Sequence, residues 1–170
     1  MAVPFLADAE RMMTERLALE PLVPAHAEEM TAVLDDPGLH TYVGGRPLSS
    51  EQLRERYERL ARGLSDDGSE RWFNWIVRND HSGEAVGYVQ ATVALASGIA
   101  DVAWVIGSPF QGNGYASEAA SAMVAWLRAG GASAVTAHIH PDNGPSQRVA
   151  RAVGLVATST IEDGEVIWRS

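Results

Sequence analysis

The sequence predicts a mixed α/β fold, and three observations carry that prediction. Trp72–Arg78, Glu84–Leu95 and Ile99–Ile106 are β-prone runs joined by short turns, which read as an antiparallel meander. Ile99–Ile106, the alanine-rich stretch Ser117–Ala129 and the β-prone Ala134–His140 then read as strand, helix and strand, a crossover that makes the two strands parallel or splayed neighbours. Leu155–Ile161 and Glu165–Trp168 close as a hairpin around Glu162-Asp163-Gly164.

The elements follow in order. Met1 to Glu10 read as a loose lead-in. Thr14–Leu22 alternates apolar and polar residues at Leu17, Leu19 and nearby, so it reads as a first strand. Pro24 stands at a first helical position, and Ala27, Met30, Val33 and Leu34 share one side of a helix that Asp35-Asp36-Pro37-Gly38 stops. Ser49 or Ser50 caps a second helix, with Leu53, Tyr57, Leu60 and Leu64 at helical spacing and charged residues on the other faces, ending near Gly63. Ser65–Ser69 is a loop, Asn79–Gly83 has hairpin turn chemistry, and Ala96-Ser97-Gly98 leads into Ile99. After Ala134–His140, Pro141–Pro145 is a loop and Ser146–Val153 a short helix, capped by Ser146 and ended by Gly154. No internal repeat, low-complexity tract or linker stands out, so residues 1–170 read as a single domain.

Composition excludes several classes of function. The chain has 170 residues, long enough to bury a core without disulfides or metal. It has no cysteine, which removes a disulfide framework, thiolate metal ligation and a cysteine nucleophile. Its net charge of −9 is spread along the chain, which argues against nucleic acid as partner and favours a cationic acceptor through steering. No apolar run reaches transmembrane length and the N-terminus lacks the pattern of a signal peptide, so no membrane partner is expected and the cytoplasm is the expected compartment.

The stretch that points to chemistry is Gln111-Gly112-Asn113-Gly114-Tyr115-Ala116, between a strand and a helix. A strand–glycine loop–helix places backbone N–H groups at the positive end of a helix, which suits a phosphate group. It is not a Walker loop, because it has no lysine, and not a dinucleotide fingerprint, because Ser117 stands near where a third glycine belongs. Read alone, the glycines serve equally as a tight turn.

The hexapeptide fits Gln/Arg-x-x-Gly-x-Gly/Ala, and a second strand later leads into Asn143-Gly144-Pro145-Ser146, then Val149 and Gly154-Leu155. With this order of features the chain resembles the GNAT superfamily of acyl-CoA N-acyltransferases, and within it the branch of ribosomal-protein N-terminal acetyltransferases. Thr14–Leu19, Trp75-Ile76-Val77, Gly83–Gly87, Asp101–Ile106 and Pro141–Ser146 are similar to segments of that branch, so the resemblance covers nearly the whole chain. Leu155 stands where the family usually has phenylalanine.

The resemblance implies a central mixed, mostly antiparallel sheet of about seven strands, splayed in the middle and flanked by about four helices. It implies acetyl-CoA as co-substrate, with the pantetheine arm between the splayed strands. The backbone of Val105 and Ile106 would pair with that arm. Gln111, Gly112, Asn113, Gly114, Tyr115 and Ala116 would cradle the pyrophosphate, and Asn143 would contact pantetheine. The Ile106 N–H is the implied oxyanion donor. Ser146 is either a hydrogen-bond donor to the sulfur, a helix N-cap, or both. Asp101 is either a base acting through water or a structural strand-end carboxylate. His138 and His140 share a strand face at spacing two, but with no third ligand in view no metal is expected. Glu84 reads as a turn residue and Glu118 as a first-turn helix acid, while Trp72, Trp75, Trp104 and Trp126 read as core. The expected activity is direct attack of a primary amine, on a protein N-terminus or a small molecule, on acetyl-CoA in a ternary complex. A non-catalytic acyl-CoA-binding module of the same fold and a nucleotide-binding enzyme are the alternatives, and a homodimer is an option common among relatives.

Overall fold

The computed structural model describes residues 7–42 and 45–170. The first part of the lead-in and two residues of the segment Leu34–Ser50 therefore lie outside the described residues. Eight strands form one sheet in the order β1-β2-β3-β4-β5-β6-β8-β7. They are β1 (Met12–Met13), β2 (Leu17–Pro21), β3 (Glu70–Asn79), β4 (Ala85–Ala94), β5 (Ile99–Ile106), β6 (Ala134–Ile139), β7 (Val156–Glu162) and β8 (Glu165–Arg169). The helices are α1 (Ala27–Val33), α2 (Ser50–Leu60), α3 (Tyr115–Ala129) and α4 (Gly144–Ala152). Every pairing is antiparallel except β5 with β6. The expected meander, crossover and closing hairpin are all present.

Strand alternation sends the two sheet faces to two sets of helices. Phe73, Trp75 and Val77 of β3, with Val89, Ala91 and Val93 of β4, pack toward α3 and α4. On α3 the buried residues are Ala119, Ala120, Met123, Val124 and Leu127, one apolar stripe whose alanines let the helix lie close to the strands. Trp75 is fully buried and stacks edge-on with Trp126 at 5.2 Å, so the core reading of those two tryptophans holds. Ile76 and Ala85 face the other way and pack with Ala27, Met30, Leu53 and Tyr57 of α1 and α2.

Three local details differ from the sequence reading. The first strand is two: Thr14–Arg16 form a turn between β1 and β2, closed by the bond from the Leu17 N–H to Thr14 Oγ1 at 3.0 Å. Leu64 lies outside α2, because Gly63 adopts φ +69° and turns the chain, and it sits 41% exposed in a bridge to Arg71. The last helix begins at Gly144, and its cap is Asn143, whose Oδ1 accepts the Ser146 N–H at 3.3 Å. Ser146 therefore sits inside the first turn, and the expectation that it caps the helix is corrected. Pro145 explains the earlier start, since a first-turn proline gives up an N–H that has no helical acceptor. Ser49 and Gln52 form a reciprocal capping box at the start of α2.

Candidate active site

The glycine loop is built to leave amides free. Gly112 and Gly114 have φ +82° and +80°, a region that side-chain-bearing residues avoid, and Gly114 is the N-cap of α3. The N–H groups of residues 112–117 find no acceptor among the described residues; the first helical bond runs from the Glu118 N–H to the Gly114 carbonyl. Side chains of the loop are used internally instead. Gln111 Nε2 donates to the Ile106 carbonyl at 2.9 Å and Asn113 Nδ2 to the Phe110 carbonyl at 2.9 Å. The Tyr115 hydroxyl accepts from Asn79 Nδ2 at 3.0 Å, and the Arg16 guanidinium lies 4.8 Å from the Tyr115 ring centroid. Ala116 follows within the first turn of α3.

Glu118 ties this helix end to the sheet. It accepts from Thr14 Oγ1 at 2.7 Å, the Arg16 N–H at 2.9 Å and Arg16 Nε at 2.7 Å. Burial alone would raise its carboxyl, but these hydrogen bonds and the Arg16 charge outweigh burial and hold it below its ordinary value. The first-turn position expected for Glu118 is correct, and its partners across the fold were not visible in sequence.

A gap opens beside the loop. β5 and β6 pair only at Ile99–Ala134, Ala100–Val135 and Asp101–Thr136. Beyond that point β6 keeps only β8, on its other edge, and among the described residues no strand lies on the β5 edge from Val102 to Ile106 that faces β6. Gly87 opposes Ile106, and the Gly107 N–H donates to the Val86 carbonyl at 2.8 Å. That register makes Gly87 and Ile106 a non-hydrogen-bonded pair, so the Ile106 N–H and carbonyl point away from β4, toward the gap. Val105 is directed oppositely: its backbone groups face Tyr88 on β4.

Trp104 and Ser146 meet across the gap. The Trp104 indole N–H donates to Ser146 Oγ at 3.3 Å. An indole only donates, so the hydroxyl is the acceptor in that bond and keeps its own proton for another partner. Where the two strands part, Asp101 Oδ1 accepts from Thr136 Oγ1 at 2.8 Å and lies 3.3 Å from His138 Nε2. Burial raises the Asp101 carboxyl above its ordinary value, against the lowering effects of Thr136 and His138. His140 is occupied elsewhere: its Nδ1 accepts the Asp142 N–H at 3.1 Å and its ring lies 5.2 Å from Tyr42. Among the described residues no group of three His, Asp or Glu side chains converges.

On the α1–α2 face a cavity of about 340 Å³ opens against the same strands. Asn74, Tyr88, Gln90 and Val105 form its sheet side, and six leucines from the end of β2, the α1–α2 segment and α2 form its walls. Arg46, Arg56 and His40 complete it. Asn74 and Gln90 are direct register partners on a face that also carries Glu70, Arg78 and Thr92. A polar pair among other polar residues does not stand out in the sequence, so the sheet side of the cavity carries no local signal. Arg46, Arg56 and His40 carry none either.

A strand edge whose Ile106 N–H faces the gap leads into an amide-lined loop, and the cavity opens beside the same end of β5. The family model for the acetyltransferase (GNAT) domain matches residues 16–156, so the chain belongs to the GNAT acetyltransferase family. No curated protein matches it by sequence. Solved structures share the fold at low identity. RimL, the ribosomal L7/L12 alpha-N-protein acetyltransferase, in complex with coenzyme A, is 18% identical with a TM-score of 0.79, over 95% of this chain and 97% of that one. The ribosomal-protein-S5-alanine acetyltransferase from Vibrio fischeri is 16% identical with a TM-score of 0.78, over 95% and 96%. The microcin C7 self-immunity acetyltransferase MccE, in complex with acetyl-CoA and AMP, is 14% identical with a TM-score of 0.76, over 92% and 93%.

Proposed function

We propose that this acetyltransferase moves an acetyl group from acetyl-CoA to a primary amine by direct attack in a ternary complex. One observation carries the reading: the unpaired edge of β5 at Ile106 leads into the amide-rich loop and lies one residue from Val105, whose side chain lines the cavity, so a donor held along it passes beside the acceptor's space. The free amides of residues 112–117 fit a pyrophosphate, which they attract without lysine on a chain whose net charge is −9. Gln111, Asn113 and Tyr115 serve the donor through their backbone N–H groups, since their side chains shape the loop, and Ile106 serves through its own backbone. The expected pairing of the Val105 backbone with the arm is corrected, because that backbone is bonded to Tyr88 and the Val105 side chain lines the acceptor cavity. Asn143 holds the start of α4 in place beside the gap.

The remaining steps belong to this chain's own groups. The Ile106 N–H is placed to stabilise the acetyl carbonyl oxygen as charge develops there. Ser146, its acceptor side filled by Trp104, donates its proton toward the departing sulfur. Asp101 lies four residues from Val105, roughly 13 Å along an extended strand, so it takes up the amine proton through water rather than by contact. Its raised pKa suits that task, because a proton acceptor works best with a pKa nearer the working pH. With no cysteine in the sequence, there is no cysteine-borne acyl intermediate.

Calorimetry with acetyl-CoA, followed by thiol release with a panel of amines, tests the reading. Binding with turnover on at least one amine is expected. Binding without turnover on any amine identifies a module instead, and no binding at all removes the reading.

A further inference from the structure

The acceptor cavity has a charge opposite to that of the molecule. The chain carries 22 acidic residues against 13 arginines and no lysine. Yet no Asp or Glu lines this cavity among the described residues, and two arginines do. Neither Arg46 nor Arg56 makes an ion pair or a side-chain hydrogen bond among the described residues, which is also true of Arg59, Arg148 and Arg169, whereas Arg11, Arg16, Arg54, Arg62, Arg71 and Arg78 each pair with a carboxylate. Arg56 has Gln52 and Leu60 four residues away and Leu53 and Arg59 three away, so α2 offers it no carboxylate at helical spacing.

A second, independent feature lies deeper. Tyr57 is 4% exposed, and its hydroxyl is fully buried without a hydrogen-bond partner among the described residues. A buried hydroxyl without a partner is costly, and native proteins keep such groups where something else uses them. Tyr57 and Tyr88 both line the cavity. Burial raises both phenols, and the Arg56 charge opposes that rise in each, which places the guanidinium within electrostatic reach of both hydroxyls.

We infer that the acceptor is a small amine that carries an anionic group at the end away from the nitrogen: the nitrogen lies against Val105, an apolar body lies among the leucines, and Arg46 and Arg56 hold the anion. The inference rests on the acetyltransferase reading and names its substrate class. It also reverses the expectation from net charge, which favoured a cationic acceptor. Net charge sets the field far from the surface, while recognition depends on the few groups within a Debye length of roughly 8 Å. The volume of about 340 Å³ sits at the lower end of the range for small-ligand pockets, which favours a small molecule over a protein N-terminus. The transfer itself is unchanged: the acceptor nitrogen gains the acetyl carbon and gives up a proton, the carbon–sulfur bond breaks, and coenzyme A leaves with a proton on sulfur.

The test separates this inference from the reading beneath it. Calorimetry measures hexanoate, hexylphosphonate and hexanol binding to the wild type and to Arg46→Gln, Arg56→Gln and, as a control on the outer face of α2, Arg59→Gln. The expected result is binding of an anionic probe at least tenfold tighter than hexanol, lost in Arg46→Gln and Arg56→Gln and kept in Arg59→Gln. Preference between the two anions distinguishes a carboxylate acceptor from a phosphoryl one. Thiol release then compares 6-aminohexanoate, hexylamine and a pentapeptide amide. The expected result is at least a tenfold advantage in kcat/KM for the acid over hexylamine, erased through KM in the two arginine variants. Equal binding of hexanol and the anions, or anion binding indifferent to both arginines, overturns the inference while acetyl-CoA binding still stands. Turnover of the pentapeptide amide unaffected by either arginine variant overturns it in favour of a protein N-terminus. Failure to bind acetyl-CoA overturns the underlying reading, whatever the anion probes do.

Discussion

At the residue scale, two hydroxyls have opposite accounts. Ser146 Oγ accepts from Trp104 and has its own proton to give, while its N–H is fixed by Asn143. Ser146→Ala therefore leaves the α4 cap intact and removes a donor from the gap. The expected loss in kcat is on the order of 100-fold, the lower end for general acid catalysis, with the acetyl-CoA affinity within about twofold of wild type. Steady-state kinetics and calorimetry read the two separately; an unchanged kcat ends the assignment. Tyr57 is the converse case, a buried hydroxyl with no partner among the described residues. Tyr57→Phe removes a group whose burial unmade costs about 1–3 kcal/mol, so the free protein becomes more stable by about 1 kcal/mol and keeps the wild-type fold. Denaturant unfolding without ligand checks the first half, and a loss of stability there would show that the hydroxyl is satisfied in solution.

At the element scale, the pair β4–β5 depends on one glycine. A Cβ on Gly87 would lie 2.1 Å from the Val105 carbonyl oxygen and 2.9 Å from Ile106 Cα. Both atoms are backbone, so neither can rotate aside. Gly87→Ala forces the strands apart where Ile106 presents its N–H to the gap, costing about 3 kcal/mol or more. Thermal unfolding and acetyl-CoA affinity are both expected to fall; a variant with wild-type values in each would show that the close approach is not real. Gly114 contrasts with it. Its Cβ would meet Arg16 Nη2 at 3.4 Å, the mobile end of a side chain, so the requirement there is the positive φ rather than space. Elements of this kind divide into those legible in sequence and those not. β5, its loop and α3 were legible because the turn residues, the strand run and the apolar stripe are all local. The splay was legible only through family resemblance, since it is a fact about where β6 stops pairing with β5 and starts pairing with β8. The start of α4 was misread because Asn143 and Ser146 are both good caps, and only the bond from the Ser146 N–H to Asn143 decides between them. The cavity was illegible because its lining comes from separate segments that meet only after folding, among them the end of β2, α2, β3, β4 and β5.

At the scale of the whole molecule, acid stability depends on two opposed sets of charges. The net charge of −9 repels itself, and protonating carboxylates relieves that repulsion. Short-range pairing acts the other way. Arg78 Nη2 lies 3.1 Å from Glu20 and 2.6 Å from Glu29, joining β2, β3 and α1, and Glu118 joins α3 to the β1–β2 turn. Burial raises the Glu20 carboxyl, but the hydrogen bond and charge of Arg78 overcome it; for Glu29 the Arg78 hydrogen bond dominates from the outset; Glu118 is held down in the same sense. A carboxyl lowered in the folded state contributes stability above its unfolded pKa, about 4.3 for glutamate, and loses it as pH falls through the folded value. Asp101 runs in the opposite direction, since its raised pKa costs stability once pH exceeds the unfolded value of about 3.9, but it is one group against three. The long-range repulsion is screened beyond roughly 8 Å at physiological salt, whereas contacts under 4 Å are not. The paired carboxylates therefore decide the outcome. The melting temperature is expected to stay level from about pH 7 to about pH 5 and to fall below about pH 4, where those three glutamates take up protons. Glu118→Gln is expected to lower the melting temperature at pH 7 and to narrow its difference from wild type at pH 3. Scanning calorimetry across that range checks both curves. A melting temperature that rises on acidification would mean that self-repulsion, and not the Arg16 and Arg78 pairs, governs this fold.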